Sequence, residues 1–114
     1  HSDAYAAGEL KHGPIALIEN GVPVIATMTD EKLVKKSISN LQEVITRGAK
    51  AIVVTNQDLK EYNFENVIQI PKVNKLLSPV ISVIPMQLFA YYVAKYKNID
   101  VDKPRNLAKS VTVE

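Results

Sequence analysis

Two short runs decide the fold: Val22-Pro23-Val24-Ile25-Ala26-Thr27 and Ala51-Ile52-Val53-Val54-Thr55. Each is continuously apolar and rich in β-branched residues, instead of alternating apolar with polar. That is the pattern of strands covered on both faces. Between them Leu33, Val34, Ile38, Leu41, Val44 and Ile45 recur at helical spacing within residues 31–47, which predicts an amphipathic helix. Asp30 is the expected N-cap, Glu31 suits the positive end of the helix dipole, and Gly48 is expected to close the helix at the C′ position. Buried strands separated by such a helix predict an α/β domain with a parallel sheet flanked by helices.

Working outward, Val67-Ile68-Gln69-Ile70 reads as a third short strand ended by Pro71, which cannot donate into a ladder. Residues 57–66 read as a loop. Upstream, Pro14 can occupy the first turn of a short helix leading into Ile15-Ala16-Leu17-Ile18, and Asn20-Gly21 is a turn signal. Downstream, the segment from Leu76 to Lys97 is apolar almost all round, with Pro79 and Pro85 capping or kinking it. Leu76 to Ala94 carries no charge, yet Ser78, Pro79, Ser82, Pro85 and Gln87 favour a buried helix over a membrane span. A helix apolar on every side needs cover on every side, from the sheet on one face and from another subunit or a further part of the polypeptide on the other. Three strands make a thin sheet for this architecture, so the sheet is expected to be incomplete.

The 114 residues suffice for one domain. Hydrophobic residues at 46% and charged residues at 23% fit a soluble globular chain and not a disordered one. Lys plus Arg exceed Asp plus Glu by 14 to 12, a net +2 too mild to argue for nucleic acid or an anionic membrane surface as partner. The absence of cysteine rules out disulfides, thiolate metal sites and cysteine nucleophiles. The chain opens at His1 without an initiator Met or a signal pattern, which suits a processed protein or a piece of a longer one. No GxGxxG, Walker, HExxH or GxSxG motif is present, and His1 and His12 lack a third ligand at useful spacing, so no metal and no cofactor are expected.

Two residues could carry chemistry. His12 sits between Lys11 and Gly13-Pro14, where an imidazole can shuttle protons near neutral pH; on spacing alone the favoured reading is a surface histidine making a local hydrogen bond. Lys109 stands in the polar tail between Ala108 and Ser110. Beside a carbonyl sugar it could form a Schiff base, whereas with nothing else known it is a solvated tail lysine.

The stretches Ala4-Tyr5-Ala6-Ala7-Gly8-Glu9-Leu10-Lys11-His12-Gly13-Pro14 and Asp102-Lys103-Pro104-Arg105-Asn106-Leu107-Ala108-Lys109-Ser110-Val111-Thr112-Val113-Glu114 shift these readings. Both resemble the last part of the glucosamine-6-phosphate synthase family, the isomerising glutamine–fructose-6-phosphate aminotransferases. The resemblance implies a partial flavodoxin-like sugar isomerase (SIS) domain, with residues 1–98 as the back portion of the second SIS domain and 99–114 as an irregular C-terminal catalytic tail. It implies Lys109 as the Schiff-base lysine and His12 as the ring-opening histidine that one subunit supplies to its partner. Ala108 and Val111 would line the sugar pocket and the route for ammonia. It also implies fructose-6-phosphate as substrate, a homodimer or larger homo-oligomer, a cytoplasmic location, and no nucleic-acid or membrane partner. The family's glutaminase domain and phosphate-holding loops have no counterpart in these residues, and its proton-moving glutamate is expected just before His1. The chain alone is therefore expected to be inactive. A non-catalytic sugar-phosphate-binding SIS module and a purely structural scaffold are the alternatives.

Overall fold

The structure, a computed structural model, describes residues 2–103. Its sheet has three strands in the order β1 (Pro23–Met28), β2 (Lys50–Thr55) and β3 (Val67–Gln69). Both pairings are parallel: Pro23 lies opposite Lys50 through to Met28 opposite Thr55, and Val53 opposite Val67. A parallel neighbour requires a crossover, and helix α1 (Val34–Thr46) supplies it between β1 and β2. Pro23 opens β1 at the sheet edge, a position that needs no ladder donor.

One face of the sheet packs on α1. Val24, Ala26 and Met28 of β1 and Ala51 and Val53 of β2 meet Val34, Ile38, Leu41 and Ile45, joined by Leu59, Tyr62 and Phe64 from the β2–β3 connection. Residues 57–66, expected as plain loop, include the 3₁₀ turn Lys60–Tyr62, which helps seat that cluster. On the opposite face Val54 is fully buried while Ile25 and Ile52 are half-covered and Thr27 is exposed. In β3, Val67 and Ile68 remain 43% and 40% exposed. The sheet is thus open on β3 and on part of its second face, as the thin strand set implied.

The ends of α1 show where local signals hold and where tertiary contacts override them. At the C-terminus the Gly48 N–H donates to the Ile45 carbonyl (2.8 Å) and the Ala49 N–H to the Val44 carbonyl (3.3 Å), a Schellman closure with Gly48 at φ +95°. The same glycine faces the Asn20-Gly21 turn, whose Gly21 N–H donates to the Gly48 carbonyl at 2.8 Å. A Cβ on residue 48 would stand 2.9 Å from Asn20 Oδ1 and 3.0 Å from Asn20 Cα. At the N-terminus the helix starts later than expected, with Leu33 at the N-cap and no side-chain cap. Asp30 instead closes the preceding turn: its Oδ1 accepts from the Lys32 N–H at 3.1 Å and its carbonyl from Leu33 and Val34. Its other carboxylate oxygen is taken by Lys75, which explains why it does not cap the helix.

The two 3₁₀ turns Ala7–His12 and Pro14–Leu17 precede β1, with Pro14 at the start of the second as expected. Helix α2 runs from Ser78 to Tyr96, with Pro85 inside it. Two compact units divide the chain, residues 1–82 and 83–114, so only the first turns of α2 belong with the sheet. Within the second unit, Val83, Ile84, Leu88, Phe89, Tyr91, Tyr92, Val93 and Tyr96 are all exposed. The buried residues of α2 are Ser78 and Ser82, the reverse of an ordinary core helix. The expected apolar helix is present, and its apolar surface is uncovered.

Gly48→Ala is expected to destabilise the fold by about 1–3 kcal/mol, from backbone strain at positive φ plus the clash with Asn20. Gly8→Ala, where a Cβ meets no atom within 4 Å, should be neutral or slightly stabilising. Urea denaturation of the two variants checks this, and equal midpoints would contradict it.

Candidate functional site

His12 ends the first 3₁₀ turn and is exposed. The turn lies against α1, and Lys11 Nζ reaches Glu43 Oε1 at 2.6 Å. Gly13 follows at φ +141°, a conformation that turns the chain away directly after the imidazole. Glu43 lies nine residues into α1, which places the His12 turn about 13 Å along the helix axis from its N-terminus. Because α1 runs back against the strands, His12 stands toward the end of the sheet where the strands begin.

The carboxyl ends of parallel strands, where α/β sheets usually bind ligands, lie at the other end of α1. There Thr27, Thr29, Asp30, Lys75, Ser78, Pro79 and Ser82 line a groove of about 360 Å³. Asp30 Oδ2 accepts from Lys75 Nζ at 2.7 Å, and Lys72 lies 3.8 Å from Glu31, so two ion pairs hold the segment before α2 over the start of α1. The Lys75 ammonium, together with the Lys32 N–H, holds the Asp30 carboxyl below its usual range. Asn74 caps the short turn Lys75–Leu77 by accepting from the Leu76 N–H at 3.0 Å. Ser82 Oγ donates to the Ser78 carbonyl at 2.7 Å. Thr55 ties the strand ends together: its buried hydroxyl donates to the Met28 carbonyl at 2.7 Å and accepts from the Gln57 N–H at 3.0 Å.

The groove and His12 are therefore separate features of this chain. The remaining residues singled out from the sequence, Lys109, Ala108 and Val111, lie outside the described residues.

The SIS domain family model matches residues 1–95. The chain belongs to the SIS domain family. All but the last residue of helix α2 falls inside that match, although the span Lys75–Tyr96 is by length and composition alone sufficient to cross a bilayer. Among individual proteins, the chain is 61% identical to the glutamine–fructose-6-phosphate aminotransferase [isomerizing] of Clostridium perfringens, over all of this chain and 19% of that one. The Thermus thermophilus protein of the same name is 50% identical, again over all of this chain and 19% of its own length. The chain thus spans about a fifth of the curated relatives it matches. A solved structure described as the C-terminal domain of glucosamine-fructose-6-phosphate aminotransferase from Francisella tularensis superposes with a TM-score of 0.82 at 42% identity. That match covers 90% of this SIS chain and 30% of the other. The α/β class and the resemblance expected from the two end motifs both stand.

Sequence reasoning assigned no site role to Asp30, Lys75, Ser78 or Ser82. The one available signal was positional, since Thr29-Asp30 directly follows the carboxyl end of the first strand.

The Asp30–Lys75 pair has a signed pH consequence. A carboxyl whose folded value is depressed stabilises the fold above its ordinary range, and that contribution disappears as pH falls through the folded value. Asp30→Asn should therefore lower the urea midpoint near pH 7, and the gap to the native chain should begin to narrow below about pH 4 and close once the pH has fallen through the depressed folded value. A gap that stays constant down to pH 2 would contradict the pairing.

Proposed function

We propose that this SIS chain works as the rear of the isomerase region of a glucosamine-6-phosphate synthase, which makes glucosamine-6-phosphate from fructose-6-phosphate and glutamine. In this reading residues 1–98 form the back of the second SIS domain and 99–114 a catalytic tail. The observation that carries it is the placement of His12. The imidazole is exposed on a braced turn, toward the opposite end of α1 from the groove at the strands' carboxyl ends. A histidine so placed serves a site outside its own sheet, which fits donation to a partner subunit in a homodimer or larger homo-oligomer.

The chemistry follows from the groups assigned. His12 moves the proton of the anomeric hydroxyl to the ring oxygen as the C2–O5 bond breaks, leaving the open ketone. The Lys109 amine adds to C2, and loss of water gives the Schiff base. Ammonia then displaces the lysine, and proton transfer from C1 to C2 completes the isomerisation. Ala108 and Val111 flank Lys109 in the tail and line the sugar pocket and the ammonia route. The phosphate site and the C1–C2 base come from other parts of the synthase, so the 114-residue chain alone neither turns over nor holds fructose-6-phosphate well. The substrate is a charged sugar phosphate, which suits a cytoplasmic enzyme with no membrane or nucleic-acid partner.

Borohydride added to the complete enzyme with fructose-6-phosphate should leave a covalent sugar adduct on the peptide carrying Lys109, read by mass spectrometry. Lys109→Arg should abolish the adduct, and His12→Ala should lower kcat by about 100-fold or more. A non-catalytic sensor would give no adduct. Absence of any adduct in an enzyme that turns over would refute the assignment.

A further inference from the structure

The turn that carries His12 rests against α1 without being built into the core. None of its residues is buried, it has no side-chain cap, and it ends on a glycine at positive φ. Its specific polar tether is the contact between Lys11 Nζ and Glu43 Oε1 at 2.6 Å. Glu43 is by contrast on a rigid mount. The opposite face of α1 is locked in the core through Ile38, Leu41 and Val44. Its last turn is braced by Arg47, whose Nη1 donates to the Glu43 carbonyl at 3.2 Å, and by Thr46, whose hydroxyl donates to the Gln42 carbonyl at 2.8 Å. The two side chains of the pair are 51% and 37% exposed, so as a stabilising element the contact contributes little.

We propose that Glu43 is a positioning residue for His12, acting through Lys11 to fix the turn on α1. The inference rests on the reading that His12 opens the sugar ring. A displacement of about 1 Å at a group that must meet one hydroxyl costs as much as 100-fold in rate. A loosened turn therefore slows ring opening while leaving the later steps, which do not use His12, unchanged.

The test uses the complete enzyme and two substrates: fructose-6-phosphate, which is largely a closed furanose, and 5-deoxyfructose-6-phosphate, which lacks the hydroxyl that closes the ring and stays open. Glu43→Gln should lower kcat on fructose-6-phosphate by about 10-fold to 100-fold and leave kcat on the open analogue within twofold of the native value. The reciprocal exchange Lys11→Glu with Glu43→Lys should restore much of the loss. An unchanged kcat in Glu43→Gln, or an equal loss on both substrates, overturns the positioning role. His12→Ala provides the separating control. If it shows no preference between the substrates, the ring-opening reading itself fails; if it shows the split and Glu43→Gln does not, only the inference about Glu43 fails.

Discussion

Cover for a parallel sheet is the constraint on which the rest of the structure depends. Parallel strands bury both faces, and this chain covers one of them well. On the α1 side, Met28, Val53, Ile38 and Leu41 form a closed cluster. On the other side, full burial is reached at Val54, while Ile25, Ile52 and Ile68 retain exposed surface. The long second helix carries the same deficit, its serines buried and its leucine, valines and aromatics outside. A helix of 19 residues is about 28 Å long, and this one presents apolar side chains along its second unit. Sheet and helix thus both leave apolar surface uncovered among the described residues.

The chain's polar chemistry divides between the two ends of α1. At the helix start, Asp30, Lys75 and the serines of α2 are largely engaged with one another and with the backbone. At its far end, the Lys11–Glu43 contact holds a turn whose histidine faces solvent. The first arrangement secures the segment that launches α2. The second leaves an exposed imidazole toward the opposite end of α1, the placement on which the proposed sharing of a site between subunits rests.

Much of the architecture was legible because it is written in local periodicity. The two apolar β-branched runs became β1 and β2, the 3.6-residue pattern between them became α1, and Gly48 closes that helix through the expected left-handed residue. What was not legible depends on partners distant in sequence. Asp30 has the composition of an N-cap, but its carboxylate goes to Lys75, 45 residues away, and the helix starts at Val34 instead. Glu43 carries no signal of its own in the sequence, and only the fold brings Lys11 beside it. His12 could not be separated from an ordinary surface histidine by spacing. The resemblance of its flanking motif singled it out, and the geometry then showed it exposed and tethered.

The shared site is tested most directly by mixing subunits of the complete enzyme. His12→Ala and Lys109→Arg proteins, each with about a hundredth of the native activity or less alone, are unfolded and refolded together or co-expressed, and synthase activity is measured. If His12 serves the partner's Lys109, mixed dimers contain one intact site, and random pairing should restore about a quarter of the native activity. If the mixture stays as inactive as its components although mixed dimers have formed, the two residues do not meet across subunits and the account fails.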